Sequence, residues 1–155
     1  MGRGAPVASA VVLRLSEASY LEIVGHAYDG YPLEACGLLV GELVAGTAKV
    51  ESFVATENEA KSARVYTIPA KAFLVADREA EARGMQLVGV VHSHTHTDAY
   101  PSPTDVAQAP DPAWHYVIVS LREGEPVLRS YRIVDGSIAE EQVVVERRPT
   151  GTIPD

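Results

Sequence analysis

Apolar residues recur with two different periods along the chain, and the changes between them mark strands and helices. A β-type run at 11–15 precedes Ser16, which has the chemistry of a helix N-cap. Apolar residues then follow at helical spacing until Gly30, where we expect the helix to end. Two further β-type runs, 35–44 and 49–55, are joined by a short turn and therefore predict a hairpin.

The second half of the chain begins with an amphipathic helix. Pro69 is typical of its first turn, and Gly84 is typical of the position just past its end. The continuous apolar run 87–91 predicts a strand covered on both faces. Beyond a proline-rich loop, three more β-type runs follow, and the last two flank an Asp-Gly turn: 116–121, 126–134 and 138–145. With a short helix inside that loop, the order of elements predicts one α/β domain whose mixed sheet is partly covered by helices.

Length and composition are typical of one globular domain. The chain has 155 residues, of which 46% are hydrophobic and 22% charged, as in proteins that bury a core of their own. We expect the domain to span 11–146. Flexible segments are expected at 1–10 and at 147–155, where the tail carries two prolines and a glycine.

The charge balance limits the partners of the protein. Lys and Arg number 13 against 21 Asp and Glu, and the net charge of −8 repels nucleic acid and anionic lipid. No run of about 18 apolar residues predicts a membrane span. Cys36 is the single cysteine, so no internal disulfide forms, and a cytoplasmic location is expected. We therefore predict neither a nucleic-acid partner nor a membrane partner.

Three of the five histidines lie together directly after the predicted strand 87–91. In an extended backbone His92 and His94 project from the same face, as two imidazoles that bind one metal ion must. Asp105 lies eleven residues further on, and Ser102 before it predicts the N-cap of a short helix with Asp105 at position N3. That turn would return the carboxylate to the imidazoles. Two nitrogens and one oxygen leave the fourth position of a tetrahedral zinc ion open, as in catalytic sites.

Amide hydrolysis at such a site also needs a group that takes a proton from water and passes it to the leaving nitrogen. Glu34 is a candidate because it stands at the start of the apolar run 35–44, where poor solvation would raise its pKa. Spacing alone, however, does not select Glu34 from the other acids of the chain.

Together these residues resemble the signature of the JAMM (MPN+) zinc metallopeptidases. Glu34 with the small-residue strand after it, the two histidines, Ser102 and Asp105 match that signature at fixed relative spacing. The resemblance implies an MPN fold, an α/β fold of cytidine-deaminase-like architecture with a mixed sheet flanked by helices. It also implies one zinc ion per chain, held by His92, His94 and Asp105. Glu34 would serve as general acid and base, and Ser102 would hydrogen-bond the tetrahedral oxyanion.

The resemblance narrows to a bacterial branch of this family. Thr95 follows the second histidine, where many eukaryotic members have proline. The stretches 92–105, 115–121 and 128–136 are similar to the Mec-type enzymes of actinobacteria. Those enzymes cleave a carboxy-terminal cysteine adduct from a small ubiquitin-like sulfur-carrier protein. The resemblance therefore implies release of cysteine or a short peptide from the C-terminal tail of such a carrier.

Two other functions stay open at this point. One is a general peptidase that cuts isopeptide bonds in other ubiquitin-like conjugates, and the other is a non-catalytic MPN scaffold. The intact ligand set argues against the scaffold. The chain has no HExxH helix, glycine-rich phosphate loop or nucleophile elbow, which argues against other hydrolase and nucleotide-binding classes. A homodimer is a further expectation, because exposed hairpin edges invite pairing.

Polar residues beside the motif have two interpretations each. His96 and Asp98 are solvated loop residues by default, with a second metal site or an alternate ligand set as the alternative. Cys36 shares a face with Glu34 in an extended backbone, so it either packs as a small buried residue or acts as a thiol ligand or redox group. The remaining histidines are interpreted as structural or exposed: His26 and His115.

Overall fold

A computed structural model describes residues 11–147. Its elements follow the predicted order and are β1 (Val12–Ser16), α1 (Glu17–Gly30), β2 (Cys36–Val44), β3 (Thr47–Thr56), α2 (Ala70–Ala82), β4 (Gln86–His94), α3 (Pro103–Ala107), β5 (His115–Ser120), β6 (Val127–Val134) and β7 (Ser137–Glu146). The predicted α/β class is confirmed. The segment 1–10, expected to be flexible, lies outside the described residues, as does all of 147–155 except Arg147. Within the described range, each helix is too short or too polar to cross a lipid bilayer.

The seven strands within residues 11–147 join in one closed sheet. The strand order is β1-β3-β2-β4-β5-β6-β7, and β1 closes the sheet by pairing in parallel with both β3 and β7. β4 and β5 are also parallel, whereas the other neighbours are antiparallel, so the predicted mixed sheet is confirmed. The closure was not predicted, because it pairs Val12 with Gln142 from the other end of the chain. It shortens the strand edges on which the expected homodimer was based, and the dimer itself stays a prediction.

Helices and connecting segments cover both faces of the sheet. One face packs against α1, and the opposite face packs against α2 and the segment around α3. α2 buries Ala76 and Ala80, which lie four residues apart on one face, as expected of an amphipathic helix. Burial of apolar side chains is the dominant favourable contribution to folding. Fully buried aliphatic residues of the sheet include Leu13, Leu15, Leu38, Leu39, Val88 and Val117.

The pairing of β2 with β4 brings the candidate site residues together. The two strands are antiparallel with Cys36 opposite His92, so the start of β2 lies beside the end of β4. Ser93 fastens this junction, because its amide donates to the carbonyl of Ala35 at 2.9 Å and its Oγ accepts from the Ala35 amide at 2.8 Å. Glu34 immediately precedes the junction and is therefore held near the histidines of β4.

Gly89 lies opposite His115 in the parallel pair of β4 and β5. A Cβ atom at this position would lie 2.2 Å from the backbone oxygen of His115, and only movement of the strands relieves that contact. We expect Gly89→Ala to lower the free energy of unfolding by about 1–3 kcal/mol, the usual cost of overpacking a core. Urea denaturation followed by circular dichroism measures this change.

Gly124→Ala is the matched control. It lies in the loop between β5 and β6, and a Cβ atom there meets no neighbour within 4 Å. We expect its free energy of unfolding to stay within about 0.5 kcal/mol of the wild type. Equal effects of the two substitutions would show that the strand contact is not what requires glycine at position 89.

Candidate active site

Three side chains of the ligand type converge where β4 ends and α3 begins. His92 and His94 lie at the C-terminal end of β4, and Asp105 lies in α3. The Oδ2 atom of Asp105 lies 3.1 Å from the Nε2 atom of each histidine, and the two Nε2 atoms are 3.1 Å apart. All three side chains are buried. The structure thus brings the three predicted metal ligands together.

The cap of α3 holds the Asp105 carboxylate in this position. Oγ of Ser102 accepts a hydrogen bond from the Asp105 amide at 3.0 Å, and Oδ2 of Asp105 accepts one from the Ser102 amide at 2.9 Å. Pro103 suits the first helical position because its φ is already helical and no donor is needed there. This capping box confirms the predicted N-cap and aims the carboxylate at the histidines.

The three ligand atoms fit a tetrahedral cation. Ligand atoms about 2.0–2.1 Å from a tetrahedral zinc ion lie roughly 3.3 Å from one another, which is close to the 3.1 Å separations of this site. Two imidazole nitrogens and a carboxylate oxygen all offer lone pairs, and a cation satisfies the three at once. Within residues 11–147, this is the one group of three such side chains whose ligand atoms converge.

Each histidine ring is oriented by a second contact. Nδ1 of His94 donates to the carbonyl of Asp98 at 2.8 Å, which leaves Nε2 as the nitrogen with a free lone pair. The ring of Tyr66 stacks on His92, with ring centroids 4.3 Å apart and planes 17° apart. Sequence reasoning missed Tyr66, because it comes from the loop between β3 and α2 and its local sequence carries no sign of its partner.

Burial and mutual hydrogen bonds set the charges of the ligands. Burial lowers the pKa of His92 and so favours the neutral ring. Burial also opposes ionisation of Asp105, but its close contacts with the two histidines outweigh burial and hold the pKa of this carboxyl well below its usual range. For His94, burial is outweighed by its bonds to Asp105 and to the Asp98 carbonyl, and the pKa is raised.

Glu34 lines the same site and is only 4% exposed. Burial raises the pKa of its carboxyl from 4.5 to about 7, although the interaction with His94 opposes that rise. Its Oε1 atom is buried and has no hydrogen-bond partner among residues 11–147. A carboxyl group with a pKa near neutrality at the wall of a cavity is suited to accept and return a proton.

A loop at 57–69 supports Glu34 from one side. The Glu34 amide donates to the carbonyl of Ser62 at 2.8 Å, and the Glu34 carbonyl accepts from Nδ2 of Asn58 at 3.0 Å. The same amide group of Asn58 donates to the carbonyl of Val65 at 3.0 Å. Sequence reasoning missed Asn58 as well. Its residue type is typical of turns, but the bridge that it forms to the start of β2 depends on contacts between distant segments.

The cavity at this site has a volume of about 690 Å³ and is lined by Glu34, His94 and Ser102, together with residues of two loops. Ser102 uses an Oγ lone pair to cap α3, so its hydroxyl hydrogen can still be donated. A molecule in the cavity would therefore meet a buried acid, a metal ligand and a hydroxyl donor at once.

The neighbouring polar residues lie apart from the convergent group. His96 is exposed at the cavity, and its Nδ1 lies 2.8 Å from Oγ1 of Thr95. The exposed carboxylate of Asp98 pairs with Arg122 at 2.7 Å, and the contact of Asp98 with a ligand uses its backbone carbonyl only. Both residues are exposed, which agrees with their interpretation as solvated loop residues.

Three further residues make structural contacts. Cys36 is buried with its Sγ 3.3 Å from the carbonyl of Glu57, and burial raises the pKa of its thiol. Nε2 of His26 lies 2.9 Å from the carbonyl of Cys36. His115 is fully buried beside Glu141. These contacts agree with the interpretation of Cys36 as a small packing residue and of the two histidines as structural residues.

Fold and site together define a class of protein. Imidazoles and a carboxylate that converge beside an open cavity are typical of catalytic metal sites, whereas structural sites are closed. An acid beside such a site can supply the proton transfer that hydrolysis needs. Such an arrangement is that of a metal-dependent hydrolase.

Sequence comparison assigns the family. The chain belongs to the Prok-JAB family, the prokaryotic homologs of the JAB domain, whose profile matches residues 16–134. The resemblance to the JAMM metallopeptidases indicated by the motif is thereby confirmed, and with it the enzyme class.

Individual relatives agree with this assignment. The chain is 42% identical over 127 residues to the CysO-cysteine peptidase of Mycobacterium tuberculosis, and the match covers 81% of this chain and 86% of the relative. The structure of protein DSY2949 from Desulfitobacterium hafniense is similar with a TM-score of 0.82 at 30% identity, over 90% of this chain and 97% of that one. The JAB1/MPN domain protein AF2198 from Archaeoglobus fulgidus has a TM-score of 0.54 at 20% identity, over 84% of this chain and 98% of that one, and confirms the MPN fold alone.

Glu34 makes the stability of the metal-free protein depend on pH. Its pKa is about 7 in the folded chain against an ordinary value of 4.5, so between these values the folded state holds a proton that the unfolded state has released. The folded state is therefore favoured most below about pH 4.5, and this advantage is lost as the pH rises through about 7. We expect the free energy of unfolding of the wild type to fall relative to that of Glu34→Gln between about pH 5 and pH 8.

Urea denaturation of both proteins in the presence of a chelator measures this difference. Glutamine has nearly the shape of glutamate and does not titrate, so the comparison largely cancels the titration of other groups. A difference between the two proteins that stays constant over the pH range would contradict the raised pKa.

Proposed function

We propose that this protein is a zinc-dependent peptidase that hydrolyses an amide bond at the C terminus of a ubiquitin-like sulfur-carrier protein and releases cysteine. The observation that carries the proposal is the convergence of a buried acid, a hydroxyl donor and the His-His-Asp group on one cavity. Similarity to a CysO-cysteine peptidase over most of both chains supports the substrate class. A single cysteine, Cys36, supports a cytoplasmic location.

The residues that would hold the zinc ion are His92, His94 and Asp105. Imidazole nitrogens and a carboxylate oxygen suit zinc, and a set of three protein ligands is typical of its catalytic sites. When bound, zinc supplies Lewis acidity, which makes water more acidic and polarises a carbonyl group. The Asp98 carbonyl and the Tyr66 ring keep the two imidazoles in the orientation that such binding needs.

We assign the proton transfers to Glu34. With a pKa of about 7, its carboxyl group is partly ionised near neutral pH and accepts a proton from the attacking water. It then passes this proton to the nitrogen of the leaving residue, which departs as a neutral amine. Because Oε1 has no partner among residues 11–147, no hydrogen bond to those residues has to break before the transfer.

Ser102 is assigned to the oxyanion that forms at the scissile carbonyl. Hydrogen-bond donors held in place before the reaction stabilise developing charge without reorganisation. The cap of α3 holds Oγ of Ser102 through its bond from the Asp105 amide, and the hydroxyl hydrogen is directed elsewhere. The side chain therefore serves as a helix cap and as a donor at the same time.

Replacing Glu34 by glutamine keeps the size of the side chain and removes its capacity to accept a proton. We expect turnover of Glu34→Gln to fall by about 10²–10⁴-fold, the usual contribution of a general acid or base. Zinc content, measured by elemental analysis, should stay near one ion per chain. Glu59→Gln alters an exposed acid of the 57–69 loop and should keep full turnover. Undiminished turnover in Glu34→Gln would remove the assignment.

The substrate class is tested with the CysO carrier extended at its C terminus by one cysteine. We expect the zinc-loaded enzyme to release free cysteine and to shorten the carrier by that one residue, as measured by mass spectrometry of the intact protein. Unrelated peptides and isopeptide-linked conjugates are the comparison substrates. Hydrolysis of these alone would overturn the sulfur-carrier assignment in favour of a general peptidase. Zinc loading with no hydrolysis of any substrate would instead indicate a scaffold.

A further inference from the structure

One basic side chain lies on the wall of the active-site cavity. Arg64 lines the cavity together with Glu34, His94 and Ser102, and the other lining residues within 11–147 include no Lys or Arg. Arg64 is exposed. The ion pairs within residues 11–147 do not involve it and are made instead by Arg14, Arg122, Arg129 and Arg147 and by three histidines. Arg64 is thus a cationic residue at the cavity wall whose side chain has no carboxylate partner in this part of the chain.

The backbone on either side of Arg64 is tied to the catalytic elements. The Arg64 amide donates to Oγ of Ser62 at 3.0 Å, and the Ser62 carbonyl accepts from the Glu34 amide at 2.8 Å. The carbonyl of Ala63 accepts from Oγ1 of Thr95, the residue after the second histidine, at 3.4 Å. Arg64 therefore has a backbone position that is set relative to both the acid and the metal ligands.

Asn58 adds a second tie to the same loop. Its Nδ2 atom donates to the carbonyls of Glu34 and Val65, both at 3.0 Å, and its Oδ1 atom accepts from the Thr67 amide at 2.9 Å. The side chain of Asn58 thus links Val65, the residue after Arg64, to Glu34. These contacts hold the backbone of the loop, and Arg64 therefore lies at the cavity on an ordered segment.

The chemistry of a C-terminal residue matches this cation. In such a residue the free α-carboxylate is carried by the carbon bonded to the leaving nitrogen, so it enters the cavity whenever the scissile bond does. The cavity also contains Glu34, whose ionised form repels an incoming carboxylate, so a cationic side chain on the cavity wall favours its binding. A guanidinium forms paired hydrogen bonds with a carboxylate. An amide within a longer chain, or an isopeptide to a lysine side chain, has no carboxylate at that place.

We propose that Arg64 binds the free α-carboxylate of the residue that is released and so restricts hydrolysis to the last amide bond of the substrate chain. This inference rests on the proposed function and adds the residue that determines which bond is cut. The enzyme would recognise the carrier and also the free carboxylate of the amino acid at its C terminus. Arg64 is a specificity residue, and the proton transfers stay with Glu34.

Two forms of one substrate test this role. The CysO carrier extended by one cysteine is prepared with a free C-terminal carboxylate and with a C-terminal carboxamide, which removes the charge and little else. For the wild type we expect kcat/KM to be about 10- to 100-fold higher on the free acid, as the loss of a hydrogen bond to a charged group predicts. Arg64→Ala should lose this preference, so that its kcat/KM on the free acid falls to about its own kcat/KM on the carboxamide.

Hydrolysis of the carboxamide also reports whether the variant is folded and loaded with metal. Arg64→Lys keeps the charge without the paired donors and should keep part of the preference. Lys61→Ala removes another cation of the same loop that does not line the cavity and should keep all of it. An Arg64→Ala enzyme that still prefers the free acid would overturn the role of Arg64.

The outcomes also separate this inference from the proposed function. Equal rates of the wild type on the free acid and the carboxamide would overturn carboxylate recognition and leave the sulfur-carrier assignment intact. Failure of the wild type to hydrolyse either form, with cleavage of other substrates, would overturn both.

Discussion

The antiparallel junction between the start of β2 and the end of β4 is the contact on which the site depends. Cys36 lies opposite His92 in this pair, and the two hydrogen bonds between Ser93 and Ala35 close it at its end. Because antiparallel strands bring the beginning of one beside the end of the other, an acid that precedes β2 meets histidines that end β4. The spacing of acid and ligands is therefore a property of the sheet.

The site buries several ionisable groups, which is costly unless each has a partner. Asp105 has the histidines and the Ser102 amide, and His94 has the carbonyl of Asp98. The turn that carries this carbonyl is itself held from the sheet, because Oγ of Ser120 donates to the Thr97 carbonyl at 2.6 Å and the Tyr131 hydroxyl donates to the Ala99 carbonyl. Oε1 of Glu34 is without such a partner within residues 11–147, and burial raises the pKa of this carboxyl to about 7.

The parts of the site that are local in sequence could be predicted, and those that join distant segments could not. A serine, a proline and an aspartate in order are enough to predict the cap of α3, since all of its hydrogen bonds lie within four residues. The shared face of His92 and His94 follows from the period of a strand. Glu34 was selected by its resemblance to a family motif. The periodicity of the sequence does not show that β2 pairs with β4, and it is this pairing that brings Glu34 close to the histidines. Asn58, Arg64 and Tyr66 come from a loop whose polar sequence indicates a turn and no more.

The sequence by itself determined the order of the elements, the helix cap, the pair of ligands on one strand and the family motif, because each of these depends on neighbours within a few residues or on a fixed spacing. The closure of the sheet through β1 and β7, the stacking of Tyr66 on His92 and the support of Glu34 by the 57–69 loop were decided by the tertiary structure. These contacts arise only when segments distant along the chain pack together. The periodicity of hydrophobic residues indicates which face of a segment is buried, but it does not indicate which other segment covers that face.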